Sequence, residues 1–322
     1  MPTSFEFPPE IRRNLRAVEA RFKAVANSKV DLVAETSGYI LSSPGKRLRP
    51  ALCLLAGDNS ASVTDKLILW GLTVELTHTA SLVHDDLLDD APLRRGVPTL
   101  NAKWGHNVAL LVGDFFFAKV AATLAELDDS RCISLIAETI GSVCEGETFE
   151  LMTAHQADVD LEGYLKRIEL KTATLLSASC QGGALLAGRS AADVGAFGEY
   201  GHFLGLVFQV VDDILDVTAD EAQLGKAVGT DLRQGLATLP ILYALSDGIN
   251  PAPIRAVLES RTDREEDVQE ALDLIRRSSA IERAYAYADG VNQQAKAVLA
   301  RLTSRYRETL ECLTDALLSR EA

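Results

Sequence analysis

Apolar residues recur at three- and four-residue spacing along nearly the whole chain, and no stretch shows the strict alternation of a strand. After Pro8 and Pro9, EIRRNLRAVEARFKAVA reads as an amphipathic opening helix. A second short helix runs into LSSPGKRLRP, where Ser, Pro and Gly break the pattern. Residues 59–64 read as a small loop. From there a long apolar helix leads into the aspartates of SLVHDDLLDD. APLRRGVPTLNAKWG, with two prolines and two glycines, reads as a loop. Helical periodicity resumes over 107–127, 130–155 and 161–186, and again from 191 through FQVVDDILDVTAD. EAQLGKAVGTDLRQGLATLP is irregular, and shorter amphipathic helices fill the C-terminal third. With no low-complexity linker and no repeat, the pattern predicts one all-α domain over 1–322, about a dozen helices around a central bundle.

Composition narrows this picture. A chain of 322 residues can bury a large core, and 47% hydrophobic with only 6% aromatic residues favours helices over a sandwich or barrel. A net charge of −14 argues against a nucleic-acid surface, yet leaves room for a local basic pocket. Five scattered cysteines (Cys53, Cys132, Cys144, Cys180, Cys312) lack metal-type spacing and read as free thiols of a reducing cytoplasm. The opening MPTSFEFPPEIRRN has no secretory pattern, and no uninterrupted apolar run reaches the roughly 18 residues of a membrane span. The expectation is a cytoplasmic protein without an integral membrane segment.

The chemistry-bearing feature is an acidic pattern that occurs twice. DDLLD spans residues 85–89 and DDILD spans 212–216, each ending an apolar helix and each followed by cations. Positions i and i+4 share a helix face, so Asp85 pairs with Asp89 and Asp212 with Asp216. A helix C-terminus carries negative partial charge, which makes clustered carboxylates unfavourable there without a compensating cation. Two such pairs across a cavity suit Mg²⁺, which takes a few carboxylates and completes its shell with water and substrate phosphate.

Basic residues accompany both clusters. PGKRLRP sets Lys46, Arg47 and Arg49 in a proline-bounded turn; Arg94 and Arg95 follow the first cluster, and Lys226 the second. GKRLRP is no phosphate-binding P-loop, since neither the GxxxxGK[ST] spacing nor a preceding strand is present. Carboxylates and cations lining one pocket suit a polyphosphate, which bridges metal and guanidinium together.

GKRLRP, ELTHTASLVHDDLLDDAPLRRGVPT, LKTATLL, FQVVDDILD and LGKAVGTDLRQGLATLP are similar, in order, to the signature segments of the trans-isoprenyl diphosphate synthases, the polyprenyl synthetase family. The resemblance implies an all-α helical bundle around a deep central cavity, a homodimer that condenses isopentenyl diphosphate head-to-tail with an allylic diphosphate. It implies that Asp85, Asp89 and Asp212, supported by Asp216, hold about three Mg²⁺ ions on the allylic diphosphate. Arg94, Lys171 and Lys226 would contact the same diphosphate. Lys46, Arg49, His78 and Arg95 would bind isopentenyl diphosphate, with Thr172 and Gln209 near the reacting carbons. Two positions depart from the family pattern: Leu236 stands where lysine is usual, and Glu150 where glutamine is common. His84 is read as structural.

Product length should follow the depth of the apolar cavity below Asp85. Ser81, Ala80, Thr77, Val74 and Trp70 occupy successive turns, and Trp70 is the first bulky one. Trp70 would lie roughly 22 Å below Asp85, which fits about four or five isoprene units and predicts a product of about twenty carbons or longer. Two other classes share parts of this pattern. A class I terpene cyclase needs no second basic site, so GKRLRP with His78 and Arg95 favours chain elongation. A regulatory subunit of a heteromeric synthase would lack intact aspartate motifs, and only the absent lysine at 236 speaks for it.

Overall fold

The computed structural model describes residues 5–42, 45, 47–57, 64–94, 96–218, 228–248 and 250–320. Its helices are α1 (Pro9–Ala24), α2 (Asp31–Ser42), α3 (Leu48–Ala56), α4 (Thr64–Leu88), α5 (Leu100–Trp104), α6 (His106–Leu127), α7 (Ser130–Thr153) and α8 (Leu161–Ile168). After a π-turn (Glu169–Ala173) come α9 (Thr174–Leu186), α10 (Ala191–Thr218), α11 (Thr230–Arg233), α12 (Leu239–Leu245), α13 (Ala252–Leu258), α14 (Glu265–Arg277), α15 (Ala280–Ala300) and α16 (Arg307–Leu318). The all-α expectation is borne out. One short antiparallel pair, Leu93–Arg94 with Val97–Pro98, stands where a plain loop was predicted. Gly96, at φ 78°, makes its turn.

The principal core packs α4 on α6 and α10 on both α9 and α15. Trp70, fully buried, fixes the α4–α9 contact: its indole N–H donates to Ala178 O at 3.3 Å. The ring also fills space that only glycine leaves, since a Cβ on Gly182 would lie 2.1 Å from it. A smaller apolar cluster gathers α11 to α14 around Leu232, Ile241, Ile254 and Leu272. All five cysteines are free, three buried and two exposed.

The segment predicted as one helix over 161–186 is interrupted. The π-turn widens the backbone at Glu169–Ala173, and Thr174 Oγ1 donates to Glu169 O at 2.9 Å. Two glycines allow neighbours to close on it. A Cβ on Gly146 of α7 would lie 2.8 Å from Lys171 N, and one on Gly205 of α10 would lie 2.5 Å from Ala173 Cα. Lys171 and Thr172 therefore sit on an irregular turn clamped between two long helices.

Candidate active site

A cavity of about 990 Å³ opens where α4, α7, the π-turn and α10 meet. The C-terminal end of α4 brings Asp85, Asp86 and Asp89 into its wall, and α10 brings Gln209, Asp212 and Asp213. Lys171 and Thr172 enter from the π-turn, Arg94 from the short hairpin, and Arg49 and His78 from α3 and α4. Seven of the site residues predicted from sequence for ionisation or metal binding (Asp85, Asp89, Arg94, Lys171, Thr172, Gln209, Asp212) thus share one wall. Lys46, Arg95 and Lys226 lie outside the described residues.

Asp216 is placed differently from the sequence expectation. It is buried, does not line the cavity, and accepts a hydrogen bond from Asp231 N at 3.0 Å, so it anchors the start of α11. The helical i, i+4 rule puts it near Asp212, but the returning segment takes its carboxylate. The proposed length-setting residues also divide. Ser81 lines the cavity, whereas Trp70, Val74, Thr77 and Ala80 are buried in the core away from it. The α4 face turned to the cavity carries Glu75, His78, Leu82 and Asp85 instead.

Electrostatics explain why so many acids coexist. Burial pushes Asp85 up to about 7 against the opposing pull of Lys171. Asp86, Asp89 and Glu147 are also raised by burial. Each acid has a cationic neighbour. Arg94 Nε donates to Asp86 Oδ1 at 2.7 Å, and Arg320 Nη1 to Asp212 Oδ1 at 2.5 Å. Lys171 pairs with Glu147 Oε2 at 2.8 Å and with Glu150. Burial disfavours the Lys171 charge, but Glu150, Glu147 and Asp85 together raise its pKa and keep it protonated. Arg47, left-handed at φ 48°, also lines the cavity, where its guanidinium is held by Glu19 and Glu75.

A second network runs beside the acids. Thr172 Oγ1 donates to Gln209 Oε1 at 2.8 Å, Gln209 Nε2 donates to Asp213 Oδ1 at 2.8 Å, and the Tyr164 hydroxyl donates to Asp213 Oδ2 at 2.7 Å. Burial raises the pKa of Asp213, and the Tyr164 and Gln209 bonds oppose it. Sequence reasoning missed Tyr164, Arg167, Asp213 and Arg320. Arg167 left a signal, four positions before Lys171 on one helical face, and so did Asp213, the second acid of DDILD. His84 packs against Gly113 of α6, with Nε2 3.2 Å from Leu110 O, in keeping with its structural reading.

Among the described residues no three acidic, histidine or cysteine side chains converge into a ready-made metal cage. Asp85, Asp89 and Asp212 still offer hard carboxylate oxygens to a divalent cation on one cavity, and burial raises Asp85 and Asp89 despite the pull of Lys171. An ion held by one or two carboxylates and completed by phosphate oxygens suits this donor set.

An all-α bundle whose cavity is lined by two aspartate-bearing helix ends and facing cations defines the isoprenoid synthase fold. Residues 30–275 match the polyprenyl synthetase family pattern, and the chain belongs to that family of trans-isoprenyl diphosphate synthases. It is a prenyl-transferring enzyme, a transferase of alkyl groups other than methyl. It is 43% identical to heptaprenyl diphosphate synthase component 2 of Geobacillus stearothermophilus over 86% of each chain. Octaprenyl diphosphate synthase of Escherichia coli is 35% identical over 81% of this chain and 82% of its own length. The crystal structure of a polyprenyl synthase from Caulobacter crescentus, complexed with calcium and isoprenyl diphosphate, superposes with a TM-score of 0.92 at 33% identity. That match covers 97% of this chain and 96% of the other.

Proposed function

We propose that this chain, as one domain, catalyses the Mg²⁺-dependent head-to-tail condensation of isopentenyl diphosphate with an allylic diphosphate. The product is a trans-polyprenyl diphosphate of about twenty carbons or longer. The observation that carries this reading is the convergence of Asp85, Asp89 and Asp212 with Arg94 and Lys171 on one cavity.

Asp85, Asp89 and Asp212 would hold Mg²⁺, which when bound neutralises the charge that develops on the departing diphosphate. Lys171 and Arg94 bind the same diphosphate, leaving their carboxylate partners for it. Lys226 joins them by family resemblance. His78 and Arg49 receive isopentenyl diphosphate, with Lys46 and Arg95 assigned there by resemblance. The Thr172–Gln209 pair, oriented by Asp213, presents oxygen dipoles to the allylic cation. Leu82, Leu176 and Phe208 line the wall and exclude water that would otherwise trap that cation. The departed diphosphate takes the proton that the condensed carbocation loses from an adjacent carbon as the new double bond forms, so no protein base is required. Ser81 leaves space one turn before Asp85, consistent with the long-chain products in the relatives' names.

The chain is proposed to work in the cytoplasm as a homodimer. α6 is long and apolar enough to cross a membrane by composition, and it packs on α4 with Leu110 and Leu111 exposed on its outer face. A second copy would cover that face. The component 2 relatives raise a different chain as the alternative partner, which light scattering of the purified protein decides. The activity test is incubation with isopentenyl diphosphate, Mg²⁺ and each short allylic diphosphate, with products sized by chromatography. Absence of any elongated product from the purified chain would refute the reading.

A further inference from the structure

Arg167 is a buried cation in the cavity wall with no assigned role. It is 4% exposed and precedes Lys171 by four positions. Both side chains reach Glu150: Lys171 Nζ contacts Oε1, and Arg167 Nε lies 3.7 Å from Oε2. Arg167 Nη2 also donates to Ala237 O at 3.1 Å. These contacts occupy one Nη2 hydrogen and a long pair at Nε, out of five guanidinium donors.

Ala237 belongs to residues 234–238, and Gln234, Leu236 and Thr238 of that segment line the cavity without contributing a cation. Leu236 faces the cavity as an apolar side chain. A guanidinium buried without a partner costs several kcal/mol, and two cations one helical turn apart repel each other. A neutral residue at 150 would take away the acidic partner of Arg167 and leave Lys171 with Glu147 alone. Glu150 sits between them and removes both penalties. The acid at 150, the arginine at 167 and the leucine at 236 therefore form one arrangement.

We infer that Arg167 is a diphosphate-binding residue, supplying the charge that Leu236 does not, with Glu150 as the counter-charge that holds it in place. The inference rests on the prenyl-transfer reading above. Its planar fork can keep the Ala237 bond and offer the remaining donors to a phosphate oxygen.

The test measures KM for the allylic diphosphate and for isopentenyl diphosphate separately, and titrates inorganic diphosphate with Mg²⁺ by calorimetry. Arg167→Gln should raise the allylic KM and weaken inorganic diphosphate binding by roughly tenfold, while KM for isopentenyl diphosphate stays within about twofold. Adding Leu236→Lys to Arg167→Gln should restore most of the loss, a rescue that a purely structural role would not give. An unchanged allylic KM in a folded Arg167→Gln enzyme, or no rescue by Leu236→Lys, overturns the inference. If Arg167→Gln alone does not fold because Glu150 loses one of its two cations, Arg167→Gln with Glu150→Gln carries the same measurements. A wild-type protein that elongates no primer defeats the prenyl-transfer reading instead, and the inorganic diphosphate titration still reports on Arg167.

Discussion

Arg320 places Nη1 2.5 Å from Oδ1 of Asp212, so a side chain just beyond the last helix occupies a carboxylate of the second aspartate motif. The guanidinium also lies 5.7 Å from the centre of the Phe208 ring, over the cavity wall. A divalent ion that uses Asp212 must compete with this pair.

Arg320→Ala should therefore bind Mg²⁺ more tightly in the absence of substrate. Both partners are partly solvated, so the gain is small, up to about fivefold, in line with about 1 kcal/mol for an exposed ion pair. Calorimetric titration of Mg²⁺ into wild type and variant measures it. Equal affinities would show that the pair yields at no cost.

The clamp on the π-turn makes a contrasting pair of glycine predictions. A methyl at Gly205 meets Ala173 Cα at 2.5 Å, and neither backbone has room to yield. Gly205→Ala should lose about 1–3 kcal/mol of stability and displace Lys171 and Thr172, lowering kcat. Gly290 in α15 has nothing within 4 Å of its would-be Cβ, so Gly290→Ala should gain up to about 1 kcal/mol with activity unchanged. Urea melts and steady-state assays on the two variants separate these outcomes.

Of the residues that helical counting assigns to product length, Ser81 lines the cavity and Trp70 does not. Trp70→Ala should cost about 3–5 kcal/mol, since it empties a fully buried site against Gly182, while product length stays the same. Ser81→Phe, in the wall one turn before Asp85, should shorten the products. Thermal melts and chromatographic sizing check the two together. A shorter or longer ladder from Trp70→Ala would return that residue to the cavity.

What the sequence made legible follows from which features are local. The helices and the two aspartate motifs are written in period and spacing, so Asp85, Asp89 and Asp212 could be named together with Arg94 beside them, whereas Lys171 came through the family resemblance alone. The divergences are tertiary. Trp70 lies off the cavity because α4 is buried nearly all round, leaving no polar stripe to mark which face meets the cavity. Asp216 is taken by the backbone of a segment fifteen positions later, and the π-turn depends on glycines in two other helices. Arg320 reaches Asp212 across 108 residues, a pairing that no spacing rule contains.

The last prediction concerns pH and the start of α7. Asp129 caps that helix, its carboxylate accepting from Arg131 N at 3.1 Å and pairing with the Arg131 side chain. The Arg131 side-chain bond, helped by the backbone amides, lowers its pKa to about 2 despite slight burial. An unfolded aspartate titrates near about 3.9, so the folded form holds its charge more strongly. That contribution is fully present above about pH 4 and is lost as pH falls through about 2. The Arg131 partner is 61% exposed although the Asp129 side chain itself is only 12% exposed, so solvent screening trims the ion-pair share and the cap supplies most of the effect. Asp129→Ala should cost about 1 kcal/mol at pH 7. The gap to wild type should narrow steadily between about pH 4 and pH 2, where the wild-type carboxyl also becomes neutral. Urea unfolding at pH 7, 4 and 3 measures it, and a gap that stays constant across that range would mean the cap acts without its charge.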